Sequence, residues 1–214
     1  MIPKIIHQIW LGDQSKRPSE MMETWKEKNP TWEYRFWSEE NLPELRNQKQ
    51  FDAMVELAGK ADILRYELLY DHGGFFIDAD SICVNSLDDF FIDNKAFCCW
   101  ENEKIRQGLM SNGYLATEKN NPIVKKMIDH ISTYPVDAVR QLPNLTAWRV
   151  VGPVLLTETV NSMPDCGMKI YPSHYFIPRH YTGLEYEGED KIYSEQYWGS
   201  THTVNGKMGM QYGD

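Results

Sequence analysis

Asp78 and Asp80 stand one residue apart at the end of the apolar run Phe75-Phe76-Ile77, in the stretch GGFFIDADSICV. In a strand, residues i and i+2 share a face, so the two carboxylates project together and repel unless something positive lies between them. A divalent cation meets that need. Hard ions such as Mg²⁺ and Mn²⁺ prefer carboxylate oxygens and commonly take substrate phosphates as further ligands. The pair therefore predicts a metal–diphosphate site. Asp62 and Arg65, three apart in KADILRYELLYDHGGFFIDAD, share one helix face. They read either as a surface ion pair worth roughly a few tenths of a kcal/mol or as two side chains aimed at a ligand's hydroxyls.

The elements that must position these residues can be read from periodicity. KIIHQIW (4–10) is a nearly continuous apolar run closed by Gly12-Asp13, which predicts a strand buried on both faces and ending near Trp10. Met21, Met22 and Trp25 at helical spacing, then Trp32, Tyr34 and Phe36 at period two, complete a β-α-β opening. Helical spacing returns from Phe51 to Asp71 along Leu57, Ala61, Leu64 and Leu68, and Gly73-Gly74 caps it before the strand 75–77. AFCCW (96–100) and MKIYPS predict further strands. Asn121-Pro122 and Gly152-Pro153 open two more helices. The stretch 179–214 has no clear period. Such alternation predicts a mostly parallel sheet flanked by helices, which binds ligands at the carboxyl ends of its strands, where Trp10 and Asp78 would both sit. His7, inside the first strand, reads as a hydrogen-bonded core residue rather than a ligand.

The 214 residues suffice for a single domain. A net charge of −9 lacks the basic footprint of a nucleic-acid binder, so an anionic substrate must be met by local positive charge or a metal. Cys83, Cys98, Cys99 and Cys166 match neither a zinc pattern nor a disulfide framework. No apolar run approaches the roughly 18 residues of a membrane span, and the start lacks a signal-peptide layout. The expectation is a cytoplasmic protein.

IPKIIHQIWLG, KADILRYELLYDHGGFFIDAD, SNGYLAT before NNPIV, VGPVLLT and YWGSTH, in that order, resemble the DXD-containing glycosyltransferases of family 32, kin of capsular, yeast α-mannosyl and clostridial-toxin enzymes. The resemblance spans about 2–202 and implies a GT-A fold, an α/β Rossmann-like nucleotide-binding domain. It also implies a nucleoside-diphosphate sugar donor (a UDP-sugar such as UDP-glucose), a carbohydrate or glycan acceptor, Mn²⁺ or Mg²⁺, and retention of anomeric configuration. By position, Trp10 would stack on the base, Asp62 and Arg65 would hold the donor sugar with Asn112 nearby, and Asp78 and Asp80 would reach ribose, metal and diphosphate. The segment EQYWGSTH lacks a histidine that many members carry before the Trp. STHTVNGK resembles the His-x-x-Gly-x-x-Lys segment of the family 8 galactosyltransferases, by which His202 would ligate the metal and Lys207 would meet the diphosphate, with 179–214 a mobile segment over the donor. Two other readings of Asp-x-Asp are a phosphohydrolase of the haloacid-dehalogenase type, with the first Asp as nucleophile, and a non-catalytic carbohydrate-binding module with a structural cation.

Overall fold

The apolar run at 4–10 forms strand β1 (Ile5–Ile9), followed by helix α1 (Ser19–Lys28) and strand β2 (Glu33–Trp37). The structure is a computed structural model and describes residues 1–90, 94–144 and 146–199. The stretch 51–71, expected as one helix, is two: α2 (Gln48–Ala53) and α3 (Leu57–His72). Met54 and Glu56 leave the helical region at ψ 122° and 125°, and the Glu56 carboxylate accepts from the N–H groups of Thr146 and Ala147. Gly73 ends α3 as expected, at φ 66°, with its N–H on the Leu69 carbonyl. A Cβ at Gly73 would stand 2.7 Å from the Lys119 backbone nitrogen, so both conformation and space call for glycine.

Strands β3 (Gly74–Ile77) and β4 (Ser81–Cys83) follow, then β5 (Ala96–Asn102) and β6 (Arg106–Thr117). Helices α4 (Pro122–Ser132), α5 (Val136–Arg140), α6 (Ala147–Val150) and α7 (Pro153–Asn161) precede β7 (Met168–Tyr171) and β8 (Ser194–Gln196). Asn121 caps α4 through the Ile123 N–H, with Pro122 in the first turn. The main sheet has the order β2-β1-β3-β6-β5-β7. Only β6 runs against the rest, between β3 and β5. A two-stranded sheet pairs β4 with β8.

Both faces of the main sheet are buried. Ile6, Phe75, Ile77, Phe97 and Tyr114 pack on one side with Trp25 and Phe176, while Phe76, Cys98 and Leu115 pack on the other with Leu64, Leu68 and Met127. Alternate residues of β3 thus serve opposite cores, which is why the strand is apolar throughout. Each such side chain contributes about 1.5–3 kcal/mol on burial. His7 is fully buried: the Trp37 indole N–H donates to its Nδ1 at 3.1 Å, so the ring proton sits on Nε2 and is donated to the Gly73 carbonyl at 2.9 Å. All four cysteines are free. Among the described residues, no helix is long and apolar enough to cross a membrane.

Candidate active site

The carboxyl ends of β1 and β3 meet at one edge of the main sheet, where Trp10 follows β1 and Asp78 follows β3. Asp78 and Asp80 do not lie within a strand, as the shared-face expectation had it, but in the turn from β3 to β4. Backbone hydrogen bonds fix that turn. The Asp78 N–H donates to the Gly113 carbonyl at 3.0 Å, and the Asp78 carbonyl accepts from Ser81 Oγ at 2.6 Å and Gln8 Nε2 at 3.3 Å. Both aspartates are half-buried, and each is held from a different side.

On one side stands Arg65. Its Nη2 lies 3.1 Å from Asp78 Oδ1 and 3.2 Å from Asp62 Oδ1, its Nη1 donates to the Asn112 carbonyl, and its guanidinium stacks 4.0 Å over the Phe76 ring. Asn112 Nδ2 donates to Asp62 Oδ1 at 2.9 Å and to the Tyr66 hydroxyl at 3.2 Å. Asp62 and Arg65 are therefore no surface pair; both are buried. Burial, aided by the Asp78 charge, pushes the Asp62 carboxyl up to about 7 against the pull of Arg65 and Asn112. β6 runs on past the end of β3, which brings Asn112 and Gly113 to the turn. A Cβ on Gly113 would stand 2.9 Å from the Asp78 carboxyl carbon, so the strand glycine marks a close approach.

On the other side, Asp80 meets the C-terminal part of the described chain. Gln196 Nε2 donates to Asp80 Oδ1 at 2.9 Å, the Gly199 N–H to Oδ2 at 2.7 Å, and the Tyr197 N–H to the Asp80 carbonyl at 2.8 Å. Gln196 is itself set by the Tyr114 hydroxyl, which donates to its Oε1 at 2.7 Å. Burial first and Asp78 second push Asp80 up to about 6. That shift is what two neighbouring carboxylates show when only neutral donors meet the second, and a hard divalent cation suits the pair. Each carboxylate keeps lone pairs beyond those hydrogen bonds. Among the described residues no group of three or more His, Cys, Asp or Glu converges.

The structure thus brings Asp62, Arg65, Asp78 and Asn112 into one cluster and places Asp80 beside it. Trp10 is half-buried at the same edge, its indole N–H donating to the Asp13 carbonyl at 3.0 Å. His202 and Lys207 lie outside the described residues. Sequence reasoning missed Gln8, Tyr66, Gly113 and Gln196. Of these, Gly113 carried a signal, an isolated glycine next to Asn112 in SNGYLAT.

Residues 15–97, which include Asp62, Arg65 and both turn aspartates, match the family described as glycosyltransferase sugar-binding region containing DXD motif. The uncharacterized glycosyltransferase L373 of Acanthamoeba polyphaga mimivirus is 27% identical over 188 residues, 83% of this chain and 74% of its own. Inositol phosphoceramide mannosyltransferase 3 of Schizosaccharomyces pombe is 26% identical over 169 residues, 73% of this chain and 44% of its own, so the chain spans less than half of that relative. Among solved structures, the PaToxG glycosyltransferase has a TM-score of 0.63 at 19% identity, covering 75% of this chain and 69% of its own. The UDP-bound glycosyltransferase domain of the YGT toxin has a TM-score of 0.56 at 11% identity, covering 79% of each. Those two likenesses speak for the fold. The phosphohydrolase and binding-module readings of Asp-x-Asp give way to a glycosyltransferase with a GT-A fold, and residues 15–97 are similar to the DXD-containing family over that region.

Proposed function

We propose that the chain moves a hexose from a nucleoside-diphosphate sugar, UDP-glucose foremost, to a carbohydrate hydroxyl with retention of configuration, using Mn²⁺ or Mg²⁺. The observation that carries this reading is the turn from β3 to β4, where one guanidinium meets Asp78 and neutral amides meet Asp80. Asp78 and Asp80 would hold the cation, which would supply Lewis-acid neutralisation of charge on the departing diphosphate. In this reading Trp10 offers its ring to the base. Asp62 and Arg65 hold the donor sugar, with Asn112 orienting Asp62. The UDP bound to the fold-sharing YGT toxin domain supports uridine, and the mannosyltransferase relatives make GDP-mannose the second donor to test.

Calorimetric titration of UDP and GDP with Mn²⁺, Mg²⁺ or chelator tests the reading, followed by NMR of the product anomer formed from UDP-glucose. UDP should bind only with a cation, and the product should keep the α configuration. Equal UDP affinity in chelator would remove the metal assignment, and an inverted product would remove retention.

A further inference from the structure

Gln196 faces two ways. Its amide donates to Asp80, and it also lines a cleft of about 100 Å³ with Arg179, His180, Tyr181, Glu185 and Trp198. Tyr181 and Trp198, both half-buried, form an aromatic corner there, with ring centroids 5.2 Å apart and planes at 71°. The corner is braced. Arg106 Nη2 donates to the Tyr181 hydroxyl at 2.9 Å, and the Trp198 indole donates to the Arg179 carbonyl at 3.1 Å. Trp198 holds φ 57°, a left-handed conformation that a bulky residue adopts only where its surroundings impose it, and such strain gathers at binding sites. Arg179 and Glu185, paired at 2.9 Å, supply exposed polar groups at the rim. A wider groove of about 520 Å³ shares Gly183 and Glu185 with the cleft and adds Lys104, Tyr186 and Glu187.

We propose that this cleft is the acceptor subsite, holding the terminal sugar of a neutral glycan whose next residues run along the groove. The inference rests on the glycosyl-transfer reading above. A sugar ring has an apolar C–H face and a rim of hydroxyls, and the aromatic corner matches the face while Arg179 and Glu185 match the rim. Transfer requires the attacking oxygen within about 3–3.5 Å of the anomeric carbon, and a cleft one side chain away from Asp80 can deliver it. The acceptor oxygen bonds to that carbon as its bond to the diphosphate oxygen breaks; the electron pair leaves on the diphosphate, which takes the acceptor's proton. Two carboxylates against one ammonium in the groove disfavour a phosphorylated glycan.

Saturation-transfer NMR on the full chain with UDP and Mg²⁺ tests this, using methyl α-glucoside, methyl α-mannoside and methyl β-galactoside as probes. At least one glycoside should receive saturation on its ring C–H protons. That signal should fall at least fivefold in Tyr181→Ala and persist in Tyr181→Phe, with UDP affinity unchanged in both. If Tyr181→Ala does not fold, Tyr181→Leu keeps apolar bulk without the ring and carries the same expectation. An equal signal in the ring-less variant, or none from any probe while UDP binds, would overturn the acceptor subsite and leave the donor reading standing. Failure of UDP to bind would overturn the donor reading and this inference with it.

Discussion

Asp80 is the residue on which the proposed chemistry turns, because its carboxylate is held where ionisation is costly. Burial and the Asp78 charge oppose ionisation, and the Gly199 and Gln196 N–H groups only partly offset them. A cation would relieve both costs. Asp80→Asn removes the charge and keeps the side chain's shape, but its single oxygen can accept from Gln196 or Gly199 and not both. The relieved desolvation is thus offset by one lost hydrogen bond, and we predict a melting temperature little changed. UDP affinity in Mn²⁺ should fall at least tenfold, about 1.4 kcal/mol. Calorimetry with and without Mn²⁺ reads the second effect; affinity retained in Mn²⁺ would place the cation elsewhere.

Three elements meet on one buried guanidinium: α3 supplies Arg65 and Asp62, the β3–β4 turn supplies Asp78, and β6 supplies the Asn112 carbonyl. Arg65→Ala would leave Asp62 buried beside Asp78 with no countercharge, a loss of about 3–5 kcal/mol. Adding Asp62→Asn should recover part of it. Chemical denaturation of the single and double variants measures both. A stability matching the unsubstituted chain, with turnover alone reduced, would show that Arg65 serves only the donor sugar. α3, β3 and the acidic turn were legible in the sequence because helical spacing gives way, across Gly73-Gly74, to a continuous apolar run. The break between α2 and α3 was not, because Val55 and Leu57 extend the apolar pattern although both are exposed. β6 was missed for a related reason: Gly113 and the polar Ser111 and Asn112 interrupt its alternation where the strand passes the site. β8, the polar triplet Ser-Glu-Gln, owes its place to pairing with β4 and has no periodicity to find.

At the scale of the whole molecule, stability and the proposed donor site depend on contacts between distant segments. His7 joins β1 to Trp37 in β2 and to Gly73 beyond α3, and burial lowers its pKa from 6.5 to about 4. Between those values the unfolded chain binds a proton that the fold refuses. The contribution is therefore complete above about pH 6.5 and lost as pH falls through about 4, amounting to roughly 3 kcal/mol. His7→Gln retains a donor and an acceptor without titrating, so we predict a shallower fall in stability across that window by urea denaturation. A second long-range dependence ties 194–199 to Asp80, and it allows a test by truncation. A chain ending at Gly199 keeps β8, Gln196 and the Gly199 N–H, so its melting temperature should match that of the full chain. If His202 ligates the cation and Lys207 meets the diphosphate, that chain should bind Mn²⁺ several-fold more weakly in the presence of UDP and turn over more slowly. A chain ending at Lys191 loses β8 and all three contacts to Asp80, and should melt lower and lose cation binding. Full activity in the chain ending at Gly199 would remove both His202 and Lys207 from the mechanism and leave the cation's remaining ligands to the diphosphate and water.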